Sequence, residues 1–200
     1  MSSEEKLFKL VQERINNPSD KKLIDEKIWE LFGEDWAIMF TDLSGFSRNS
    51  AKFGIIHFLQ TIYESKIICE PIIDKNDGFL LKTEGDSMLV IFRKPEKALK
   101  ASIEMQLSLI EYNKHKIEEE KVLLCVGLGF GRILKIGDKD VFGEEVNFAS
   151  KLGEDTAKAY DILVTKNFKD NCNTISEYEL EEKEKIFELK DIHYKVLFKN

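Results

Sequence analysis

Two aspartates stand where apolar runs give way to turns, positions from which carboxylates can hold a hard cation. Asp42 closes the run WAIMFTD before the turn LSGFS, and Asp86 lies in the turn EGDS. Hydrogen bonds within its own turn explain Asp42 alone equally well, and for Asp86 alone turn chemistry is the better explanation. If adjacent antiparallel strands bring the two carboxylates together, they repel each other unless a cation lies between them. A pair bridged by Mg²⁺ or Mn²⁺ would suit chemistry on a phosphate ester.

A second group of polar residues lies in the stretch DVFGEEVNFASKLGED, residues 140–155. Its apolar residues recur at helical spacing: Phe142, Val146, Ala149 and Leu152. Asn147 and Lys151, four residues apart, therefore share another face of the same short helix. Because asparagine is a poor helix former, its presence in so short a helix raises the question of what the pair contacts. At this point the pair could face either solvent or a bound ligand.

The apolar periodicity predicts the elements that must position these residues. Two charged helices over residues 3 to about 33 precede a buried strand ending at Asp42, and a long helix follows at roughly residues 48 to 74. FLLKTEGDSMLVIF has the pattern of a hairpin, and KPEKALKASIEMQLSLIEYNKHKIEEE that of an amphipathic helix. VLLCVGLGFGRILKI reads as strand, glycine-rich bend and strand, YDILVT as a strand, and IFELK with YKVLF as an antiparallel pair. A sheet with helices on one face buries these stripes economically.

Composition and charge limit the class of protein. The chain has 200 residues, enough for one substantial domain, and its net charge of −7 argues against a nucleic-acid binder. No apolar run approaches the roughly 20 residues that span a bilayer, and the charged first residues do not resemble a signal peptide. The cysteines are scattered, which fits neither a disulfide framework nor a zinc site. We therefore expect a cytoplasmic protein that binds neither membrane nor nucleic acid.

Four motifs occur in one order with matching internal spacings, and together they carry a family resemblance. FTDLSGFS, LKTEGDSMLVIF, VGLGFGRIL and DVFGEEVNFASKL resemble the class III nucleotide cyclase catalytic domain of adenylate and guanylate cyclases. The resemblance covers about residues 36 to 166. It implies an α+β, ferredoxin-like cyclase fold with an antiparallel-rich sheet, helices packed on one face and an N-terminal helical extension. Residues 1–35 would form the extension and residues 36–200 the catalytic domain.

The resemblance implies a metal and phosphate site. The family's two metal-binding aspartates fall on Asp42 and Asp86, and the backbone carbonyl of Leu43 is a further ligand for two Mg²⁺ or Mn²⁺ ions. The residues implied to contact the nucleotide phosphates are Ser44, Gly45, Phe46, Ser47 and Lys190.

The resemblance also implies how the rest of the nucleotide is held. Lys82 and Asp140 match the pair that reads the adenine ring, and Asn147 matches the asparagine that orients the ribose. Four residues after this asparagine the family usually has an arginine, whereas this chain has Lys151. An ammonium is a point charge and cannot contact two phosphate oxygens as a planar guanidinium does. We therefore expect slow turnover.

The implied reaction converts ATP to 3′,5′-cyclic AMP and pyrophosphate, through attack of the ribose 3′-hydroxyl on the α-phosphate. In the family the site lies between two chains, and because all its parts occur in this chain, a homodimer is implied. The alternatives are a cyclase acting on GTP or a pyrimidine nucleotide, and a degenerate cyclase-fold module with little activity. The two intact residue pairs favour the enzyme, and Lys151 favours the degenerate module.

Overall fold

The fold is built on one sheet, in a computed structural model that describes residues 1–45, 53–183 and 192–199. The strands are β1 (Gly33–Leu43), β2 (Gly78–Glu84), β3 (Ser87–Phe92), β4 (Leu124–Ile136), β5 (Asp140–Phe142), β6 (Ile162–Thr165), β7 (Glu179–Lys183) and β8 (His193–Leu197). The helices are α1 (Ser3–Asn16), α2 (Lys21–Phe32), α3 (Ile55–Lys75), α4 (Pro95–Asn113), α5 (Glu144–Ser150) and α6 (Lys166–Asn171). Short 3₁₀ segments lie at Pro18–Asp20, Glu118–Glu120 and Asn173–Glu177, and a π-helical turn follows α5 at Lys151–Thr156.

The strand order confirms the predicted architecture. Strands run in the order β2-β3-β1-β4-β6-β8-β7, and β5 pairs with β4. All pairs are antiparallel except β4 with β6. Because α3 joins β1 to β2 and α4 joins β3 to β4, the first four strands form the ferredoxin-like β-α-β-β-α-β unit. The α+β, antiparallel-rich prediction is therefore correct.

The two faces of the sheet are covered differently. Ala37 and Met39 of β1 belong to the main core, which also contains buried side chains of α3 and α4. Trp36 and Ile38 face the opposite side and pack with α5. The long helices thus share one face, as predicted, while the short α5 covers the other. Because side chains alternate along a strand, Asp42 lies on the same face as Ile38 and α5.

The N-terminal helices form a separate hydrophobic cluster at one end of β4. Its buried members are Leu7, Leu10, Ile24, Ile28, Phe32 and Ile136. The Nε atom of Arg14 lies 2.5 Å from an oxygen of Asp25 and joins α1 to α2. The helix pair therefore packs against the sheet beside the β4–β5 turn. Among the described helices, none is long and apolar enough to cross a membrane.

The glycine-rich stretch of β4 is not a bend, so this part of the sequence prediction was wrong. β4 is one continuous strand that pairs with β1 from Leu124 to Leu134 without a register shift. A Cβ atom on Gly127 would lie 2.2 Å from the carbonyl oxygen of Ala149, and one on Gly129 would lie 2.7 Å from that of Glu145. The glycines therefore allow α5 to lie directly on the sheet instead of turning the chain.

Two predicted segments extend beyond the described residues. β8 pairs with β6 on one side and with β7 on the other. The segment predicted as its partner, IFELK (186–190), lies outside the described ranges, and so does the predicted start of the long helix before residue 53. These two assignments stay predictions.

Candidate active site

The end of β1 and the β2–β3 hairpin turn bring two carboxylates together. Asp42 is the next-to-last residue of β1, and Asp86 lies in the turn between β2 and β3, with β3 paired to β1. The hydroxyl of Ser87 donates a hydrogen bond to Asp42 at 3.3 Å. Burial and, after it, repulsion from Asp86 raise the pKa of Asp42 to about 7. The predicted hairpin therefore exists, and it places the two aspartates in one site.

The chemistry of this pair fits a divalent cation. Two carboxylates this close together are a hard, negatively charged donor set. Within the described residues, no group of three or more His, Cys, Asp or Glu side chains could hold a metal ion. An ion bound by Asp42 and Asp86 would need further oxygen ligands. Mg²⁺ commonly completes its coordination with water and substrate phosphates.

The turn after β1 is described only in part. The backbone N–H of Ser44 donates to the carbonyl oxygen of Leu123 at 2.8 Å, so this amide already has a protein partner. Gly45 has φ +85°, a backbone conformation that glycine adopts readily. The other residues implied to contact phosphates lie outside the described ranges: Phe46, Ser47 and Lys190.

Lys82 and Asp140 meet across the opening between β2 and β5. The ammonium nitrogen of Lys82 lies 2.5 Å from a carboxylate oxygen of Asp140, although 58 residues separate them in the chain. The same nitrogen lies 4.0 Å from Glu84. Both members of the close pair are about one-third exposed, at 35% and 28%. The pair therefore offers a donor and an acceptor side by side to a ligand that reaches it.

A cavity of about 290 Å³ adjoins this pair. Residues from four strands and α5 line it, among them Phe40, Lys82, Leu89, Asp140, Val141 and Asn147. A larger cavity of about 670 Å³ lies between the start of α4 and the segment after α6, lined by Lys94, Lys97 and Lys100 among others. Three of the implied site residues, Lys82, Asp140 and Asn147, line the smaller cavity, which is therefore the candidate active site.

Asn147 and Lys151 are one helical turn apart, but they meet different partners. Asn147 is exposed on α5 and lines the cavity. The backbone N–H of Lys151 donates to the carbonyl oxygens of Asn147 and Phe148, and its ammonium lies 3.2 Å from Asp155. Among the described residues, Lys151 is not part of the cavity lining. The π-helical turn begins at Lys151 and carries Asp155.

The apolar stripe predicted for this segment is correct at three of its four positions. Val146, Ala149 and Leu152 are buried, at 7%, 0% and 0% exposure. Phe142 lies on β5, before the helix, and is 48% exposed. The prediction was wrong there because the chain does not become helical until Glu144.

Sequence reasoning missed two residues beside the carboxylate pair. Ser87 donates to Asp42, and Cys125 stands directly opposite Asp42 in the β1–β4 register. Burial, with Asp42 nearby, raises the pKa of the Cys125 thiol to about 12, so the thiol stays neutral. Since Ser87 follows Asp86 directly, the predicted hairpin could have indicated it. The contact of Cys125 depends on the strand register, which the sequence pattern did not provide.

Fold and site together describe an α+β domain with a pair of carboxylates near a cavity of about 290 Å³. The family model of the adenylate and guanylate cyclase catalytic domain matches residues 33–195. The chain belongs to this family, the class III nucleotide cyclases.

Known proteins similar to this chain include cyclases of both kinds. The receptor-type guanylate cyclase gcy-13 of Caenorhabditis elegans is 25% identical over 157 residues, a match that covers 66% of this chain and 15% of that protein. The adenylate/guanylate cyclase/hydrolase of Silicibacter pomeroyi has a TM-score of 0.70 at 20% identity, with coverage of 84% and 99%. The adenylyl cyclase CyaB of P. aeruginosa has a TM-score of 0.69 at 19% identity, with coverage of 84% and 96%. The chain spans a fifth or less of the length of the curated relatives it matches.

Proposed function

We propose that the protein is an adenylate cyclase that converts ATP to 3′,5′-cyclic AMP and pyrophosphate. The observation that carries this proposal is the Lys82–Asp140 contact of 2.5 Å on the wall of the cavity that Asn147 also lines. An ammonium can donate to N1 of adenine, and a carboxylate can accept from the exocyclic amine. The two groups therefore complement the adenine edge.

The proposed roles are those implied by the family resemblance, and the Lys82–Asp140 contact and the position of Asn147 at the cavity support them. Lys82 and Asp140 hold the base, Asn147 on α5 orients the ribose, and the Asp42–Asp86 pair lies toward the triphosphate. Divalent ions held by the two aspartates would lower the pKa of the 3′-hydroxyl and offset charge on the phosphates. Lys151 supplies a cation near the α-phosphate, provided that its ammonium leaves Asp155. A single ammonium stabilises the transition state less than a guanidinium does, so we expect slow turnover.

GTP is the second candidate substrate. The same two groups can meet guanine in the reverse order, with Lys82 donating to O6 and Asp140 accepting from N1–H. Similar proteins include guanylate as well as adenylate cyclases. A pyrimidine nucleotide remains a further alternative within the same reaction class.

We further propose that the working enzyme is a homodimer with two equivalent sites. One chain would supply Asp42 and Asp86, and the other would supply Lys82, Asp140 and Asn147. All five residues are present in this chain, so two identical copies can complete each other's sites.

The test is to incubate the purified protein with each of the four NTPs and Mn²⁺ and to identify the products by mass spectrometry. We expect cyclic AMP from ATP as the main product. If cyclic GMP is the main product, the protein is a guanylate cyclase and GTP is its substrate. No cyclic nucleotide from any of the four would overturn it in favour of a degenerate module.

A further inference from the structure

Glu145 is a buried carboxylate to which the proposed reaction gives no role. It is the second residue of α5 and is 7% exposed. Its two oxygens accept three hydrogen bonds: from the backbone N–H of Phe130 at 3.1 Å, from the Thr165 hydroxyl at 2.7 Å and from the Asn167 side-chain amide at 2.8 Å. These donors lie on β4, β6 and α6. One side chain therefore ties α5 to three other elements.

The carboxylate occupies a gap along the edge of β4. On this edge β6 pairs with Val126–Leu128, and β5 pairs with Leu134–Ile136. Between these two stretches the described chain places no strand beside β4, and there the Phe130 N–H meets Glu145. A buried backbone N–H without an acceptor costs free energy. Here the Glu145 carboxylate supplies the acceptor that the carbonyl of a neighbouring strand would otherwise provide.

The sequence of β4 leaves room for this side chain. A Cβ atom on Gly129 would lie 3.0 Å from a carboxylate oxygen of Glu145, and one on Gly131 would lie 3.0 Å from its Cγ. The apolar contacts of Val146 and Ala149 hold α5 on the sheet, but they are not directional. Hydrogen bonds have preferred angles, so the three bonds of Glu145 restrict how far α5 can rotate or slide.

We infer that Glu145 is a positioning residue of the nucleotide site, an inference that rests on the proposed cyclase function. Asn147 follows Glu145 by two residues, which places the two side chains on roughly opposite faces of the helix. Glu145 points into the sheet while Asn147 lines the cavity. By fixing the rotation and depth of α5, Glu145 holds Asn147 at the ribose.

This role predicts a specific kinetic pattern. Lys82 and Asp140 lie on β2 and β5, so base recognition does not depend on the orientation of α5. A displacement of about 1 Å in a positioning group can cost about 10²-fold in rate. Loss of the Glu145 hydrogen bonds should therefore lower kcat far more than it changes KM.

The experiment measures steady-state kinetics of cyclic nucleotide formation for Glu145→Leu, Glu145→Gln and the control Glu144→Gln, an exposed neighbour on the same helix. Glu145→Leu should lower kcat at least about tenfold and leave KM within about twofold. Glu145→Gln should stay within about threefold of the parent chain, because the Asn167 amide can rotate and present its oxygen. Glu144→Gln should behave as the parent chain does.

Two milder variants keep the test decisive if Glu145→Leu does not fold. Asn167→Ala removes one of the three hydrogen bonds, and Gly131→Ala adds a methyl group against the Glu145 side chain. Each should lower kcat with little change in KM. Unchanged kcat in both, or in a folded Glu145→Leu chain, would overturn the inference. If kcat falls and KM rises together, and Glu145→Gln does not restore them, Glu145 is only a general stabilising residue.

The proposed function and this inference fail in different ways. A parent chain without cyclase activity would overturn both. A parent chain that makes cyclic nucleotide at a rate independent of Glu145 would overturn this inference and leave the proposed function standing.

Discussion

Each charged group of the candidate site already interacts with another charged group of the protein. Lys82 contacts Asp140 at 2.5 Å, and Lys151 contacts Asp155 at 3.2 Å. The Asp42–Asp86 pair, by contrast, brings together two groups of like charge. A nucleotide must therefore compete with carboxylates for both lysines, whereas a divalent cation would relieve an existing repulsion.

Replacing Asp42 tests the carboxylate pair. In metal-free buffer near neutral pH, Asp42→Asn should raise Tm, because it removes repulsion between two carboxylates while keeping the shape of the side chain. A gain of 1 kcal/mol corresponds to about 2–4 °C for a domain of this size. The same variant should lose the stabilisation that Mn²⁺ gives the parent chain, and its turnover should fall at least about 10²-fold.

Thermal unfolding with and without Mn²⁺ provides the readout for Asp42→Asn. Asp161→Asn is a suitable comparison, because Asp161 forms an ion pair with Lys195 at 2.7 Å. Removing this ion pair should lower the Tm of the protein. Stabilisation by Mn²⁺ that persists in Asp42→Asn would show that the ion binds elsewhere.

Lys151→Arg tests the cation at the start of the π-helical turn after α5. A guanidinium can contact two phosphate oxygens at once, so turnover should rise by about tenfold or more. Lys100→Arg, on an exposed face of α4, is the matched control and should leave the rate unchanged. If the rate of Lys151→Arg also stays unchanged, Lys151 has no part in the chemistry.

At the residue level, the sequence predicted which groups of the site lie together, but not the carboxylate with which a nucleotide would compete for Lys151. Asp42 lies beside Asp86, as expected from the apolar runs and turn residues that determine where the strands end. Lys82 contacts Asp140, a pair that only the family resemblance implied. The contact between Lys151 and Asp155 was not foreseen. It depends on a π-helical turn, for which the apolar periodicity of α5 carries no signal.

Among the elements, α5 and β4 determine the geometry of the site. Three glycines of β4 let α5 lie close against the sheet, and Glu145 fixes its orientation. The sequence predicted the helix and its buried stripe but interpreted the glycines as a bend. Glycine is compatible with both a bend and a close approach, and only the position of α5 decides between them.

Stability at different pH values tests the environment of Glu145. Burial, aided by the neighbouring Glu144, raises the pKa of Glu145 although three donors bond to it. Since this pKa is higher in the folded than in the unfolded chain, the stabilisation linked to the bound proton is fully present below the unfolded pKa. It is lost as the pH rises through the folded pKa.

Glu145→Gln cannot ionise, so its stability relative to the parent chain should increase as the pH rises from about 4 to about 8. The measurement is the difference in Tm between the two chains across this range. A difference that is flat, or that falls with pH, would contradict the raised pKa.

For the whole molecule, the ferredoxin-like core follows from the order of the predicted elements, because the connections of β1 to β4 permit few topologies. The packing of α1 and α2 could not be predicted in the same way. Their apolar stripes indicate helices, but the contact with Ile136 at the end of β4 depends on tertiary structure.

Complementation tests the proposed homodimer. Asp86→Ala and Asn147→Ala should each inactivate the protein, because each removes one half of every site. Mixing the two chains should restore one working site per heterodimer, and about a quarter of parental activity follows if half of the dimers are heterodimers and each has one of two sites intact. Activity that does not return on mixing, although the chains associate, would indicate a site within a single chain.

The most direct test of the central claim is the stoichiometry of products formed from ATP in the presence of Mn²⁺. We predict that cyclic AMP and pyrophosphate appear in equal amounts with the parent chain, and that neither appears with Asp42→Asn. Formation of ADP and phosphate, or of linear AMP, by the parent chain would contradict the assignment of this site to nucleotide cyclisation.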